Sequence, residues 1–263
     1  MLLAAIVWIL TAAICYLFAG KYWWFPDPIS AHGILYDRHF AKVLLATGVI
    51  FFLAQAALGY VIFRYRDDGK KATFSHGNTA LEVLWTSATT ILFVGLAIVS
   101  QHIWAGVHFA KASANAMQVE VLSKQFAWSF RYAGPDGQFG RTDLKQINDQ
   151  GGNQFGIDEK DPAGKDDITS SVLRVPVGVP VLLTMRSRDV IHNFFVRELR
   201  LKQDLVPGME IPIHFQADRI GSYEIACAEL CGLGHHQMRS TLEVLSAADF
   251  EAWKKRALEQ LQQ

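Results

Sequence analysis

The stretch Cys227-Ala228-Glu229-Leu230-Cys231-Gly232-Leu233-Gly234-His235-His236-Gln237-Met238 gathers two thiols, an imidazole and a thioether into twelve residues. Two thiolates four residues apart can bridge a pair of metal ions, and His235 and Met238 can cap the ends. Soft sulfur ligands select copper in its lower oxidation state and imidazole also suits the higher one, so this donor set points to copper and to electron transfer. A second imidazole is needed. Upstream, Asp189-Val190-Ile191-His192-Asn193-Phe194-Phe195-Val196 offers His192 among apolar neighbours in a strand-like run. Two plainer readings compete. Cys227 and Cys231 can form a disulfide if the domain lies outside the cytoplasm. Zinc is the other, although Met is not among the usual zinc ligands. Only one of two adjacent side chains normally faces a metal, so His236 is expected to be solvated or to support the site from outside it.

Working outward, the runs 117–132, 172–175, 180–185, 190–196, 211–215, 223–226 and 241–245 are short, β-rich and separated by Gly, Pro and Asp. They predict a small all-β sandwich or barrel. The stretch 133–169 is polar, with Pro135-Asp136-Gly137 and Asp161-Pro162 as turn signals, and predicts a long loop within that domain. Loops of this length are often functional, and a docking surface for a partner subunit is the expectation. Its Asp residues lack the regular spacing of a calcium loop. Ser246 is a plausible helix cap, and Phe250, Trp253, Ala257, Leu258 and Leu261 follow at helical spacing, so residues 246–263 predict a C-terminal packing helix.

The N-terminal part is of another kind. Met1–Gly20, Val43–Phe63 and Val83–Ala110 contain no Asp, Glu, Lys or Arg, and each is long enough for the roughly 30 Å hydrocarbon layer. Residues 1–20 read as a first transmembrane helix or a signal segment, and residues 41–110 as a transmembrane helical hairpin. The first segment lacks a basic start, and Ile14 precedes Cys15 where a lipoprotein site wants a small residue, which favours a retained helix. Arg64, Arg66, Lys70 and Lys71 place the hairpin loop on the cytoplasmic side, so residues 111–245 face outward. Lys plus Arg and Asp plus Glu are 25 each, and a net charge of zero gives no reason to expect a nucleic-acid partner.

With these residues in view, the chain resembles subunit II of the haem-copper oxidases, the cytochrome c oxidase subunit that carries binuclear copper A. The resemblance rests on Cys227-x-Glu229-x-Cys231-x3-His235-x2-Met238 with His192 upstream, on His76-Gly77-Asn78-Thr79-Ala80-Leu81-Glu82-Val83-Leu84-Trp85, on Gln125-Phe126-Ala127-Trp128-Ser129-Phe130, and on Lys202-Gln203-Asp204-Leu205-Val206-Pro207-Gly208. It covers about residues 40–245. It implies a cupredoxin-like Greek-key sandwich after two or three N-terminal transmembrane helices. Copper A, two copper ions, would be bridged by Cys227 and Cys231. His192 and His235 would bind one ion each, Met238 would be a weak ligand, and Glu229 would contribute its backbone carbonyl. The Glu229 side chain would reach a magnesium site shared with the catalytic subunit.

The same resemblance implies further roles. The family places a Trp where cytochrome c makes contact; here Phe126 takes that position, Ala127 follows and the next Trp is kept as Trp128, so Phe126 and Trp128 are the electron-transfer candidates. Glu82 corresponds to a carboxylate near a proton channel, though an acid in a first helical turn is favourable in any case. The implied partners are the haem-copper catalytic subunit I, other oxidase subunits, cytochrome c or a similar donor, and membrane lipid. The implied setting is a bacterial-type plasma membrane with the copper domain on the periplasmic or extracellular side. The implied activity is that of a respiratory terminal oxidase, with oxygen reduced in the partner subunit and protons pumped. The electron-accepting subunit of a copper A nitric oxide reductase and a membrane-anchored copper carrier are the alternatives. The chain lacks the repeats of a nitrous oxide reductase propeller, and without a Cys-x-x-Cys-His motif no fused c-type haem is expected.

Overall fold

The computed structural model describes residues 1–21, 24–69, 71, 74 and 76–261. Three apolar helices come first: α1 (Leu2–Ala19), α2 (Ala31–Arg64) and α3 (Thr79–His108). All three are long and apolar enough to cross a membrane, and few or none of the residues in their most apolar stretches are buried against the rest of the chain. An apolar helix exposed all round needs lipid or partner helices as its solvent. Of the basic residues assigned to the α2–α3 loop, Arg64 closes α2, and Lys70 lies outside the described residues.

Helix α2 begins at Ala31, ten residues before the expected hairpin boundary at 41, although Asp37, Arg38 and Lys42 interrupt the apolar pattern there. The cause is a cap: the Ser30 hydroxyl accepts the Gly33 N–H at 3.1 Å and donates to the Leu199 carbonyl at 3.2 Å. Ile29 is held on both sides, its N–H donating to the Glu198 carbonyl (2.9 Å) and its carbonyl accepting from Asp218 N–H (2.7 Å). Accordingly Pro26–Leu35 groups with Ala105–Gln263 in one compact unit, while Met1–Phe25 and Tyr36–Trp104 form the other.

The second unit is a two-sheet β-sandwich. Its strands are β1 (Met117–Lys124), β2 (Ala127–Tyr132), β3 (Ile168–Ser170), β4 (Leu173–Pro176), β5 (Pro180–Ser187), β6 (His192–Val196), β7 (Leu201–Leu205), β8 (Ile211–Gln216), β9 (Gly221–Cys227) and β10 (Arg239–Leu245). One sheet runs β3-β2-β1-β5-β8 and the other β4-β10-β9-β6-β7. Strands β1 and β5, and β4 and β10, pair in parallel; the remaining ladders are antiparallel. Strict alternation explains the core. Val181, Leu183 and Met185 of β5 and Val119 and Val121 of β1 are buried, as are Phe194, Ile225, Leu242 and Val244 of the other sheet.

The run 117–132 is broken into β1 and β2 by a turn at Gln125-Phe126. Strands β3 and β7 had no hydrophobic run to announce them. Both are edge strands; β3 has three residues, and Lys202, Gln203 and Asp204 give β7 a polar face. The long loop is ordered by its own hydrogen bonds. Asp143 and Asp161 cap two single 3-10 turns, Leu144–Gln146 and Pro162–Gly164, and Asn148 and Asn153 exchange backbone hydrogen bonds at 2.9 and 2.8 Å. Under it Arg131, almost fully buried, donates to Asp167, Glu120 and the Gly140 carbonyl. Helix α4 (Ala247–Leu261) starts from a Ser246–Asp249 capping pair, buries Phe250 and sets Trp253 edge-on against Tyr132 at 5.0 Å.

Candidate metal centre

Strand pairing builds the site. Strands β6 and β9 run antiparallel with Phe194 opposite Cys227, so His192 at the start of β6 comes level with the chain leaving β9. Strand β9 pairs with β10, and the Cys227 N–H donates to the Met238 carbonyl at 3.1 Å, which closes the metal loop at its base. The Ala228 N–H donates to the Asn193 carbonyl at 3.1 Å, tying the loop to the His strand. A residue 35 positions away in sequence is thereby brought to the two cysteines.

Five side chains converge. Cys227 Sγ lies 3.9 Å from Cys231 Sγ and 3.8 Å from His192 Nδ1, while Cys231 Sγ lies 3.6 Å from His235 Nδ1 and 3.8 Å from Met238 Sδ. The Glu229 carbonyl points at Cys227 Sγ from 3.3 Å, and its carboxylate is exposed. His192, Cys227, Cys231 and Met238 are buried and His235 is half-buried; the neighbouring His236 is exposed, as expected of a residue outside the set. Both thiols are free, at nearly twice the ~2.05 Å of a disulfide bond.

The electrostatics fit a cation at this point. Burial, and then the neighbouring Cys227 sulfur, push the Cys231 thiol up to about 11. Two buried thiols side by side do not ionise together without a positive charge between them, and a bound metal supplies it. His192 is oriented for the same purpose. Its Nε2–H donates to Asp189 Oδ1 at 2.8 Å, which leaves the Nδ1 lone pair facing the sulfurs. Asp189 is held in turn: its carboxylate accepts the Gln125 and Val190 N–H groups, both at 2.7 Å. Burial alone would raise the Asp189 carboxyl, but the hydrogen bonds from Gln125 N–H, His192 and Val190 N–H keep it below the ordinary carboxylate range. A buried thioether beside the thiolates suits copper and not zinc.

The β1–β2 turn closes the outside. The Gln125 side-chain amide donates to the Cys231 carbonyl, and the Phe126 ring lies against Gly232 and Gly234, where an added Cβ would come within 3.1 and 2.5 Å of it. Phe126 is 38% exposed and Leu233, between the two glycines, 98%. Trp128 is buried, its ring edge-on to His192 at 6.3 Å and to Phe194 at 5.8 Å. Of the remaining candidates, Glu82 sits in the first turn of α3 and belongs to the other unit. Asp189 and Gln125 carry no metal-ligand signature and were not singled out from sequence; the spacing of Asp189, three residues before His192, was the available signal.

Residues 117–245 match the family described as cytochrome c oxidase subunit II, periplasmic domain, and residues 21–103 match its transmembrane domain. The chain belongs to the cytochrome c oxidase subunit II family. The alternative cytochrome c oxidase subunit 2 of Bradyrhizobium diazoefficiens is 34% identical over 237 residues, which cover 89% of this chain and 83% of that one. The cytochrome c oxidase subunit 2 of Thermostichus vulcanus is 30% identical over 284 residues, covering 95% and 85%. The crystal structure of the periplasmic domain of subunit II of cytochrome oxidase of Bradyrhizobium japonicum aligns with 58% of this chain and 98% of its own at 26% identity and a TM-score of 0.41. This subunit II is therefore a membrane-anchored part of an oxidase complex, with its sandwich outside. The relatives are oxidases, which disfavours the nitric oxide reductase reading. The family implies copper A, and His192, Cys227 and Cys231 offer a buried group able to hold a metal ion.

Proposed function

We propose that this subunit receives electrons from a cytochrome c or similar carrier and delivers them to the haem of catalytic subunit I, where oxygen is reduced to water and protons are pumped. His192, Cys227, Cys231, His235, Met238 and the Glu229 carbonyl would hold a binuclear copper A centre. The observation that carries the reading is the convergence of two thiols, two imidazole Nδ1 atoms and a thioether, each 3.6 to 3.9 Å from a cysteine sulfur, in a buried pocket. Bound there, such a centre would supply a one-electron relay.

The protein's own residues do the rest. Asp189 fixes the His192 ring, and Gln125 fixes the Cys231 carbonyl, so the donors stay in place whether or not an extra electron is present. Phe126 and Leu233 present an apolar surface beside the loop, where we place the contact with the donor; Trp128, buried against His192, fills the space beneath. The exposed Glu229 carboxylate is the proposed magnesium ligand toward the catalytic subunit, and Glu82 the proposed proton-uptake carboxylate. Copper stoichiometry and electron paramagnetic resonance on the purified oxidase test the centre. Hyperfine splitting from two equivalent coppers assigned to this subunit is the expected result. A mononuclear signal, or copper lost to a mild chelator, would mean a copper carrier instead.

A further inference from the structure

Helix α1 lies outside residues 21–103, the part that matches the family's transmembrane domain. Apolar segments at this position are often leaders that are removed. The packing of α1 points the other way. The Trp8 indole lies over Gly59 of α2, where an added Cβ would come 2.2 Å from the ring nitrogen. The indole N–H donates to the Ala56 carbonyl at 3.3 Å, so a donor that would have no water partner within lipid is satisfied. The same ring lies 6.4 Å from Phe63. Ala4 and Thr11, four residues before and three after Trp8, are the buried residues of α1, and the Thr11 hydroxyl is spent on the Val7 carbonyl at 2.7 Å. Trp8 of α1 thus meets Ala56, Gly59 and Phe63 of α2 through a small-residue notch that admits a large ring.

A second contact closes the other end. Trp24 and Phe25, beyond α1, pack edge-on against Phe40 at 6.1 and 6.0 Å, and the Lys21 ammonium lies 4.9 Å from the centre of the Trp24 ring. Residue 8 opposite residues 56 to 63, with residue 24 opposite residue 40, is the register of one antiparallel hairpin held at both ends. A segment that is cut away has no use for a fitted notch.

We infer that α1 is a permanent third membrane helix of the mature subunit, seated on α2 by Trp8 in the Gly59 notch. With the basic α2–α3 loop in the cytoplasm, the amino end of α1 is cytoplasmic as well.

Intact-mass measurement and N-terminal sequencing of this subunit in the purified oxidase test retention. The expected chain retains residues 1–21. A chain beginning near residue 21, or at an acylated Cys15, overturns the inference. The notch is tested in oriented membranes by trypsin cleavage after Lys21 from the outer face, with the copper signal recorded on the same sample as a check of folding. Gly59→Leu is expected to speed that cleavage several-fold with the copper signal kept. Gly48→Leu, at a helix position with nothing within 4 Å of an added Cβ, is expected to leave it unchanged. Equal cleavage of both variants and the unaltered protein would overturn the seat of Trp8.

Discussion

Two loops of the sandwich, both dense in polar groups, do opposite things with them. Residues 228–237, between β9 and β10, turn their donors inward to one buried point and leave Leu230 and Leu233 facing outward. Residues 133–167 use their donors on one another and on the neighbouring strands: Asp143, Asp158 and Asp161 accept backbone N–H groups of the loop itself, and Asp149 binds Lys124 and Arg188. Side-chain type is only part of the difference. A site results when unlike donors are left unspent toward one another and buried; the same density spent on local hydrogen bonds gives a scaffold.

The contrast is broken most severely at the sulfurs. Cys227→Ser or Cys231→Ser removes one of the two thiols proposed to hold the copper pair, and the purified oxidase is expected to lose the two-copper signal altogether; a retained shared-electron spectrum would take that cysteine out of the site. The next largest effect belongs to the scaffold. Arg131→Met leaves Asp167 buried without its partner, and breaking a buried pair costs about 3–5 kcal/mol. Denaturant unfolding of the sandwich should show that loss, and a change confined to a few tenths would mean the loop is not held from beneath.

Finer changes sharpen the comparison. Asp189→Ala frees the His192 ring, and loss of a partner of this kind lowers metal affinity by about 10–100-fold. Copper competition with a chelator measures it. Met238→Leu, at the proposed weak ligand, is expected to keep copper and to shift the reduction potential; an unchanged potential removes Met238 from the proposed ligands. The smallest effect is at Asp149. Its hydrogen bonds, first from Arg188 and then from Lys124, hold the carboxyl well below its ordinary value. A depressed folded-state pKa stabilises the fold above the unfolded-state value near 3.8 and loses that contribution as pH falls below it. Since the carboxylate is exposed and screened, Asp149→Asn should cost under about 1 kcal/mol at neutral pH and nothing in strong acid. Equal destabilisation at both pH values would assign the effect to something other than the charge.

The sequence alone offered the candidate donors, because metal chemistry depends on residue type and Cys-x3-Cys-x3-His-x2-Met places the types within one short loop. It also determined the membrane spans, since a charge-free stretch of about 20 residues has few other uses. The β-class of the outer domain was legible from alternation in β1, β5 and β10, but not the edge strands β3, which has three residues, and β7, whose middle three residues are polar. The tertiary structure supplied the means by which His192, already named by the sequence, reaches the cysteines, through the pairing of Phe194 with Cys227. It alone decided that Asp189 orients His192, that Phe126 covers Gly232 and Gly234, and that α2 begins at a cap tied to Leu199. Except for the Asp189–His192 pair, three residues apart, these are contacts between residues distant in sequence, set by strand register and loop closure, and no local pattern of residue types encodes a register.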